Sequence, residues 1–242
     1  MSEGRPALSV HCFSCQVRDR GDWCALHDED LALLDKHKKV RAYDVGDVLF
    51  MEGERCTGIH CLESGSVALR KIDSEGNSVL VHLAHAGETV GYRSFLAGET
   101  HDTTCEVVAP AKICFIPGAT VRELIDHNPS LGMQFLVHAA RDVREAQENY
   151  LRAATGSVRT RLVHLLFTLK ERYAEEQEDG SLIIHLPLSR QDMAAMVGTR
   201  PETISRTIRK MEADGAANFT GRTVRIADPG MLLDDIAHLG LN

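Results

Sequence analysis

Leu188–Arg225 reads LSRQDMAAMVGTRPETISRTIRKMEADGAANFTGRTVR, and this stretch predicts two short helices across a tight turn, then a small hairpin. Ser189 with Asp192 three residues on has the pattern of a capping box, and Met193, Ala194 and Val197 give the first helix an apolar face. Gly198 permits the turn. Thr199 with Glu202 predicts a second cap, and Pro201 suits a first helical turn because its missing N–H is unpaired there anyway. Ile204, Ile208 and Met211 recur at helical spacing and face inward, which leaves Glu202, Ser205, Arg206 and Arg209 outside. A second helix presented this way is shaped to enter a DNA major groove. The plainer reading is a surface helical hairpin with a solvated charged face.

Two features favour the groove. Glu202 and Arg206 lie one turn apart on one face, where arginine can donate a forked pair to guanine and glutamate can accept from a cytosine amine. The stretch also carries a net charge of +3 inside a chain of net charge −8. A basic patch on an acidic protein is the footprint expected for phosphates.

The remaining composition sets limits. With 242 residues, 43% hydrophobic, the chain can bury a core and fill two modest domains. No apolar run is long enough to span a bilayer, and MSEGRPALSV lacks a signal-peptide core, so a soluble cytoplasmic protein is expected. Seven cysteines then argue for thiol chemistry, metal binding or buried packing rather than a disulfide framework. Nothing has the form of a hydrolytic triad, a P-loop or a dinucleotide fingerprint, and no enzyme is expected.

The N-terminal segment places Cys12, Cys15 and Cys24 as C-x2-C-x8-C in a polar stretch with little periodicity. A short loop of that kind is not expected to bury three thiols, and two ligands from one tight turn reach adjacent tetrahedral positions on a metal. Three readings stay open from spacing alone: an iron–sulfur cluster with a fourth thiolate from elsewhere, zinc completed by His27, or reactive thiols without metal. Leu26, Leu31, Leu33 and Leu34 then predict a short amphipathic helix within 25–39.

From Val40 to Pro117 short alternating runs are broken by glycine, and Val67–Ile72, the turn Asp73–Asn77 and Val79–Leu83 predict a hairpin in a β-roll or barrel. His82 and His85 could ligate haem or a metal, although capped surface histidines are the plainer reading. Cys56, Cys61 and Cys105 read as small buried hydrophobes, and alternation alone places Cys114 with them. After Asn128-Pro-Ser130 a helix should run to about Ala154. Along it Leu136, Ala139, Val143, Ala146, Tyr150 and Ala153 recur in threes and fours, a seam suited to a two-fold dimer helix. Dimerisation would supply two recognition helices one DNA turn apart. Val158–Ala174 reads as a further helix, Leu182–Leu186 as a strand, Val224–Ile226 as the wing and Pro229–Leu239 as a last helix.

Taken together, these segments resemble the cAMP receptor protein / fumarate–nitrate reduction regulator (CRP/FNR) superfamily over nearly the whole chain. Glu202-Thr-Ile-Ser205-Arg206 matches the recognition signature of its oxygen-responsive branch. The resemblance implies an α+β fold: a cysteine-rich segment (1–24), a cyclic-nucleotide-binding-like β-roll (25–127), a dimerisation helix (128–156) and a winged helix-turn-helix (157–242). It implies a homodimeric transcription regulator, an activator in that branch, with RNA polymerase as a further partner. Glu202, Ser205 and Arg206 would read base edges in a TTGAT-like half-site, and Ser189, Arg190, Arg200, Thr203 and Arg222 would hold phosphates.

The same resemblance implies a [4Fe–4S] cluster that senses oxygen or nitric oxide. Cys12, Cys15 and Cys24 fall in the right segment, with a longer second gap than in the best-known member of that branch, and Cys114 falls at the fourth ligand position. The family's cyclic-nucleotide pocket needs an Arg-Ser pair after the Gly-Glu turn; here Gly87-Glu88 is followed by Thr100-His-Asp-Thr-Thr104, which argues against a cyclic nucleotide. A haem sensor of the same fold and a zinc-binding non-regulatory protein are the alternatives.

Overall fold

The computed structural model describes residues 4–6 and 11–237 and divides into two compact units, Met1–Arg144 and Glu145–Asn242. In the first unit, strands β1 (Arg5–Pro6), β2 (Lys39–Tyr43), β3 (Val48–Phe50), β4 (Gly58–Ile72), β5 (Ser78–His85), β6 (Thr89–Val90) and β7 (Thr104–Pro117) form one antiparallel sheet. Its main path is β1-β2-β7-β4-β5, with β3 also on β7 and β6 on β4. The β4–β5 hairpin closes on Asp73, whose carboxylate accepts from the amides of Glu75 and Asn77, as the turn residues predicted.

The long strands β4 and β7 slip register at Leu62/Ser64, Ser64/Ser66 and Ser66/Val67, and these bulges curl the sheet into a roll. Gly65 sits inside the bulged run at φ +84°, where a Cβ would lie 2.4 Å from the Pro110 carbonyl, so only glycine fits. One core, around Leu62, Val67, Ala84, Val107 and Ile113, fills the roll. A second lies between the roll and its helices and includes Trp23, Leu31, Leu34, Ile59, Ile116, Leu124, Leu131 and Phe135.

The helices of this unit are α1 (Asp28–His37), α2 (Tyr92–Ala97), α3 (Gly118–His127) and the start of α4 (Pro129–Thr155). Periodicity predicts α1 and α4; α2, six residues long, is too short to stand out among the strands, and α3 is not anticipated although Val121 and Leu124 give it a buried face. Asn128 caps α4 by accepting the Ser130 amide. The predicted division placed the whole helix in one segment, 128–156, yet the boundary between units falls within it, because Leu131 and Phe135 are fully buried in the second core of the roll.

The second unit holds α5 (Val158–Tyr173), β8 (Ala174–Glu176), β9 (Leu182–His185), α6 (Arg190–Val197), α7 (Pro201–Ala213), β10 (Asn218–Thr220), β11 (Thr223–Ile226) and α8 (Pro229–Ala237). The four strands pair in the order β10-β11-β9-β8, and Leu162, Leu166, Ile184, Ile204, Ile208, Met211 and Val224 are buried. The predicted end of the last helix, Leu239, lies outside the described residues. Among the described residues no helix is long and apolar enough to cross a membrane.

Candidate cysteine site and nucleic-acid interface

The segment 11–25 is a chain of 3-10 turns docked on the roll, and Cys12 is buried with the second core rather than left in a loose loop. In the turn Cys12–Ser14 the Cys15 amide donates to the Cys12 carbonyl at 3.3 Å. Side chains three apart on a 3-10 helix eclipse, so the two thiols fall on one side. They border a cavity of about 40 Å³ whose wall also carries Cys61, Cys114, Trp23, Leu31, Leu34, Ile116, Lys38 and Glu63. Cys61 and Cys114 are directly opposed on β4 and β7.

Two cations line this cavity, Arg18 and Lys38, and Lys38 is the buried one. Lys38, nearly inaccessible at 3% side-chain exposure, reaches Asp35 at 2.9 Å and donates to the Cys12 sulfur at 3.1 Å. Asp35 also accepts from the Cys12 amide at 2.9 Å and bonds His11 at 2.7 Å, which ties the arm to the end of α1. Burial pushes the Cys114 thiol up to about 12 against the pull of Lys38, and burial beside Cys114 raises Cys61 well above the ordinary thiol range. Such thiols stay protonated until a metal displaces the protons.

Among the described residues no three His, Cys, Asp or Glu side chains already stand at metal-ligand separation. The donor chemistry nevertheless suits a soft metal centre: thiols on an apolar wall, one ammonium to offset thiolate charge, and Glu63 as the hard donor at the edge. Cys24 stands apart. It is exposed and faces an open hollow shared with Arg18, His27, Glu29, Asp30 and His127. Of the cysteines expected as one ligand set, Cys12, Cys15 and Cys114 border the cavity, while Cys24 lines the adjoining hollow with His27. Sequence reasoning missed Lys38, Asp35 and the position of Cys61; only the spacing of Asp35 and Lys38 along α1 offered a signal.

Around Cys24 the chain is held on both sides. Trp23 is buried, stands edge-on to Phe135 with centroids 5.8 Å apart, and donates its indole N–H to Thr89 at 3.2 Å. Asp22, also buried, accepts from His138 of α4 at 3.0 Å; the His138 ring stacks on Tyr92 at 4.6 Å, and Tyr92 donates to Asp142 at 2.7 Å. A polar clasp thus runs from the cysteine arm to the long helix.

This clasp is expected to weaken as pH rises. The hydrogen bond to Asp22 raises the His138 pKa against burial, with Asp142 and Glu88 adding to the effect; Arg93, paired to Asp142 at 3.4 Å, is the nearby cation. Because the folded pKa lies above the unfolded one, the contribution is complete below the ordinary histidine value of about 6.5 and is lost through the raised folded pKa. Urea midpoints of wild type and His138→Gln should converge as pH rises above the ordinary histidine value of about 6.5 and through the raised folded pKa; a gap independent of pH would refute this.

The place of the cyclic-nucleotide pocket is a cavity of about 20 Å³ lined by Glu88, Arg93, Ser94, Asp102, Thr103 and Asp142. An arginine is present, Arg93, earlier in the chain than Thr100–Thr104, and it faces Asp102 at 3.8 Å and Asp142 at 3.4 Å. His82 bonds Glu88 at 3.2 Å and His85 bonds Ser66 at 3.1 Å, so both haem candidates are engaged within the protein.

In the second unit Ser189 caps α6 through a full capping box: its hydroxyl accepts the Asp192 amide while its own amide donates to the Asp192 carboxylate. Its hydroxyl is thereby committed to the helix end, which sets it apart from the expected phosphate donors. Gly198, at φ +68°, ends α6 and turns the chain. The second cap differs from expectation. Arg200, not Thr199, is the N-cap of α7, without a side-chain hydrogen bond, because Pro201 forces the residue before it to be extended.

Along α7, Pro201, Glu202, Ser205, Arg206 and Arg209 line one solvent-facing hollow. Ser205 donates to the Pro201 carbonyl at 2.9 Å, and Arg206 reaches the Thr203 hydroxyl at 3.3 Å, one turn back. Arg190 lies over the Phe219 ring at 5.7 Å, while Arg222 is exposed at the β10–β11 turn. Arg206→Ala is expected to weaken binding to a cognate duplex by about 1–3 kcal/mol and to leave non-specific binding nearly unchanged. Titrations of matched and scrambled duplexes at one salt concentration measure it; an equal loss on both would remove the base-reading role.

On α4 the exposed apolar residues are Met133, Leu136, Val137, Val143, Tyr150 and Leu151, with Tyr150 the most open at 78%. Ala146 and Ala153 are exposed too, whereas Ala139 packs against the second core of the roll and lies off the exposed stripe.

Residues 40–128 match the cyclic nucleotide-binding domain family and residues 160–234 the Crp-like helix-turn-helix domain family. The transcriptional activator protein FnrL of Cereibacter sphaeroides is 25% identical over 95% of this chain and 93% of its own. The fumarate and nitrate reduction regulatory protein of Escherichia coli is 22% identical over 95% and 92%. Among solved structures, FixK2 from Bradyrhizobium japonicum superposes with a TM-score of 0.70 at 19% identity, covering 83% of this chain and 98% of that one. The c-di-GMP responsive regulator CLP of Xanthomonas campestris gives 0.71 at 20% identity, over 84% and 100%.

Proposed function

The chain belongs to the CRP/FNR family of DNA-binding transcription regulators, and from that premise we propose that it is a homodimeric cytoplasmic regulator whose grip on DNA follows oxygen or another redox signal through a [4Fe–4S] centre on its cysteine arm. The observation that carries the reading is the meeting of Cys12 and Cys15 with Cys114 at one apolar cavity, beside the buried Lys38, whose ammonium can offset thiolate charge.

When bound, such a centre supplies iron–sulfide bonds that oxygen or nitric oxide can attack. The chain's own residues do the rest. Cys12 and Cys15 hold the arm to Cys114 of the roll, and the docked arm seats Asp22 on His138 and Trp23 on Phe135 of α4. A seated α4 presents Leu136, Val143 and Tyr150 to a second copy of itself. Glu202, Ser205 and Arg206 of each copy then read base edges in a TTGAT-like half-site, with Arg190, Arg200, Thr203 and Arg222 on flanking phosphates. Pairing doubles the readable site, and only a centre that binds the docked arm better than the released one can drive the shift. RNA polymerase is the partner through which occupancy becomes transcription.

The test is anaerobic purification of the full chain with iron and acid-labile sulfide analysis, followed by titration of a duplex carrying two such half-sites before and after air. Iron and sulfide in about equal amounts, and tight binding lost on exposure to air, support the reading. Iron-free protein, a sharp Soret band from haem, or zinc with binding indifferent to air would each overturn it.

A further inference from the structure

We propose that Arg209 is a fourth base-reading residue of each copy, which extends the half-site past the base pairs met by Glu202, Ser205 and Arg206 and selects a guanine there. The inference rests on the reading of α7 as the helix that enters the major groove, and adds a specificity-determining residue to it.

Its placement comes first. Arg209 lines a single solvent-facing hollow with Pro201, Glu202, Ser205 and Arg206, while Ile204, Ile208 and Met211 bury the other face of α7. Seven residues at about 3.6 per turn bring Arg209 back to within about 20° of Glu202, about 10 Å further along the axis. Base pairs rise about 3.4 Å each, so a helix lying along the groove carries Arg209 about three base steps beyond Glu202. Side chains on a helix lean towards its N-terminus, which brings the long Arg209 chain back over the hollow rather than off the end of α7.

Its chemistry suits a base edge. Arg209 is exposed, and among the described residues its guanidinium has no hydrogen-bond or ion-pair partner, whereas Arg206 is already held at the Thr203 hydroxyl. It can therefore dock without giving up a bond. The planar fork of N–H donors on a guanidinium matches the N7 and O6 acceptors that guanine presents in the major groove. The neighbouring Lys210 is exposed as well, but it lies about 100° round the helix and does not border the hollow. Arg190, Arg200, Thr203 and Arg222, the residues assigned to phosphates, do not border it either. Position on this face therefore groups Arg209 with the base readers.

The experiment takes the full chain, purified without oxygen, through selection from a library of randomised duplexes. Bound duplexes are sequenced for wild type, Arg206→Ala, Arg209→Ala and Lys210→Ala, with circular dichroism melts as the folding control. Wild type should select a guanine outside the base pairs whose selection Arg206→Ala loses, and Arg209→Ala should lose that guanine alone. Anisotropy titrations at one salt concentration then compare the selected duplex with one carrying adenine for that guanine in one half-site. Wild type and Lys210→Ala should prefer the guanine at least tenfold, and Arg209→Ala less than twofold. Equal weakening of Arg209→Ala on both duplexes, with the slope of log affinity against log salt reduced by about one per copy, would make Arg209 a phosphate contact and overturn the assignment. So would an Arg209→Ala protein that selects the wild-type sequence unchanged. Wild type that selects no sequence overturns the assignment together with the reading beneath it.

Discussion

Trp23→Ala is expected to lower the stability of the first unit by about 3–5 kcal/mol, the cost of deleting a buried aromatic from a close-packed core. Trp23 is 4% exposed, edge-on to Phe135, and its indole N–H is satisfied by Thr89. The substitution removes the ring, leaves a void beside Leu31 and Phe135, and strands the Thr89 hydroxyl in a buried site. Trp23→Phe keeps most of the apolar contact and should cost clearly less. Cys24→Ala, one residue away and exposed, should stay within about 0.5 kcal/mol. Urea unfolding followed by circular dichroism separates the three. The same variant should also lose iron, because the arm that carries Cys12 and Cys15 is anchored by this ring. Trp23→Ala as stable as Cys24→Ala would mean the arm is not docked as described.

That contrast between neighbours marks what the sequence could and could not disclose. The helix-turn-helix was legible because its determinants are local: a capping residue and its acid three apart, a glycine at the turn, apolar residues at helical spacing. Even there the cap of α7 moved from Thr199 to Arg200, since the restriction that Pro201 places on its predecessor outweighs the preference of threonine for a cap. The cysteine site was legible only in part. Cys12 and Cys15 announce themselves by spacing, but pairing Cys61 with Cys114 requires the register of two long strands. That register slips three times between Leu62 and Val67, so alternation along either strand cannot recover it. The clasp between Asp22 and His138 joins residues 116 apart in sequence, each unremarkable in its own window. Arg93 is hidden for a similar reason: its segment forms a short helix, which brings it to a cavity that the family's motif fills from later in the chain.

Val143→Asp is expected to abolish dimerisation at micromolar chain concentration and with it tight operator binding. Val143 is 57% exposed near the middle of the apolar stripe on α4, with Met133 and Leu136 towards one end and Tyr150 and Leu151 towards the other. In a two-fold helix pair a central residue meets its own copy, so one substitution buries two like charges without a partner. An unpaired buried charge costs several kcal/mol, and a loss of even about 2.7 kcal/mol weakens association a hundredfold. The chain itself should stay folded, because Val143 is exposed and takes no part in the core in which Leu131 and Phe135 hold α4 to the roll. Arg141→Ala, beside the stripe, should pair as wild type does. Sedimentation equilibrium measures the dimer, and titration of duplexes with one or two half-sites measures what it contributes: wild type should prefer two strongly, and Val143→Asp should bind both weakly. If Val143→Asp sediments as a dimer and still prefers two half-sites, the pairing surface lies elsewhere on the chain. The exposed stripe would then require a different occupant.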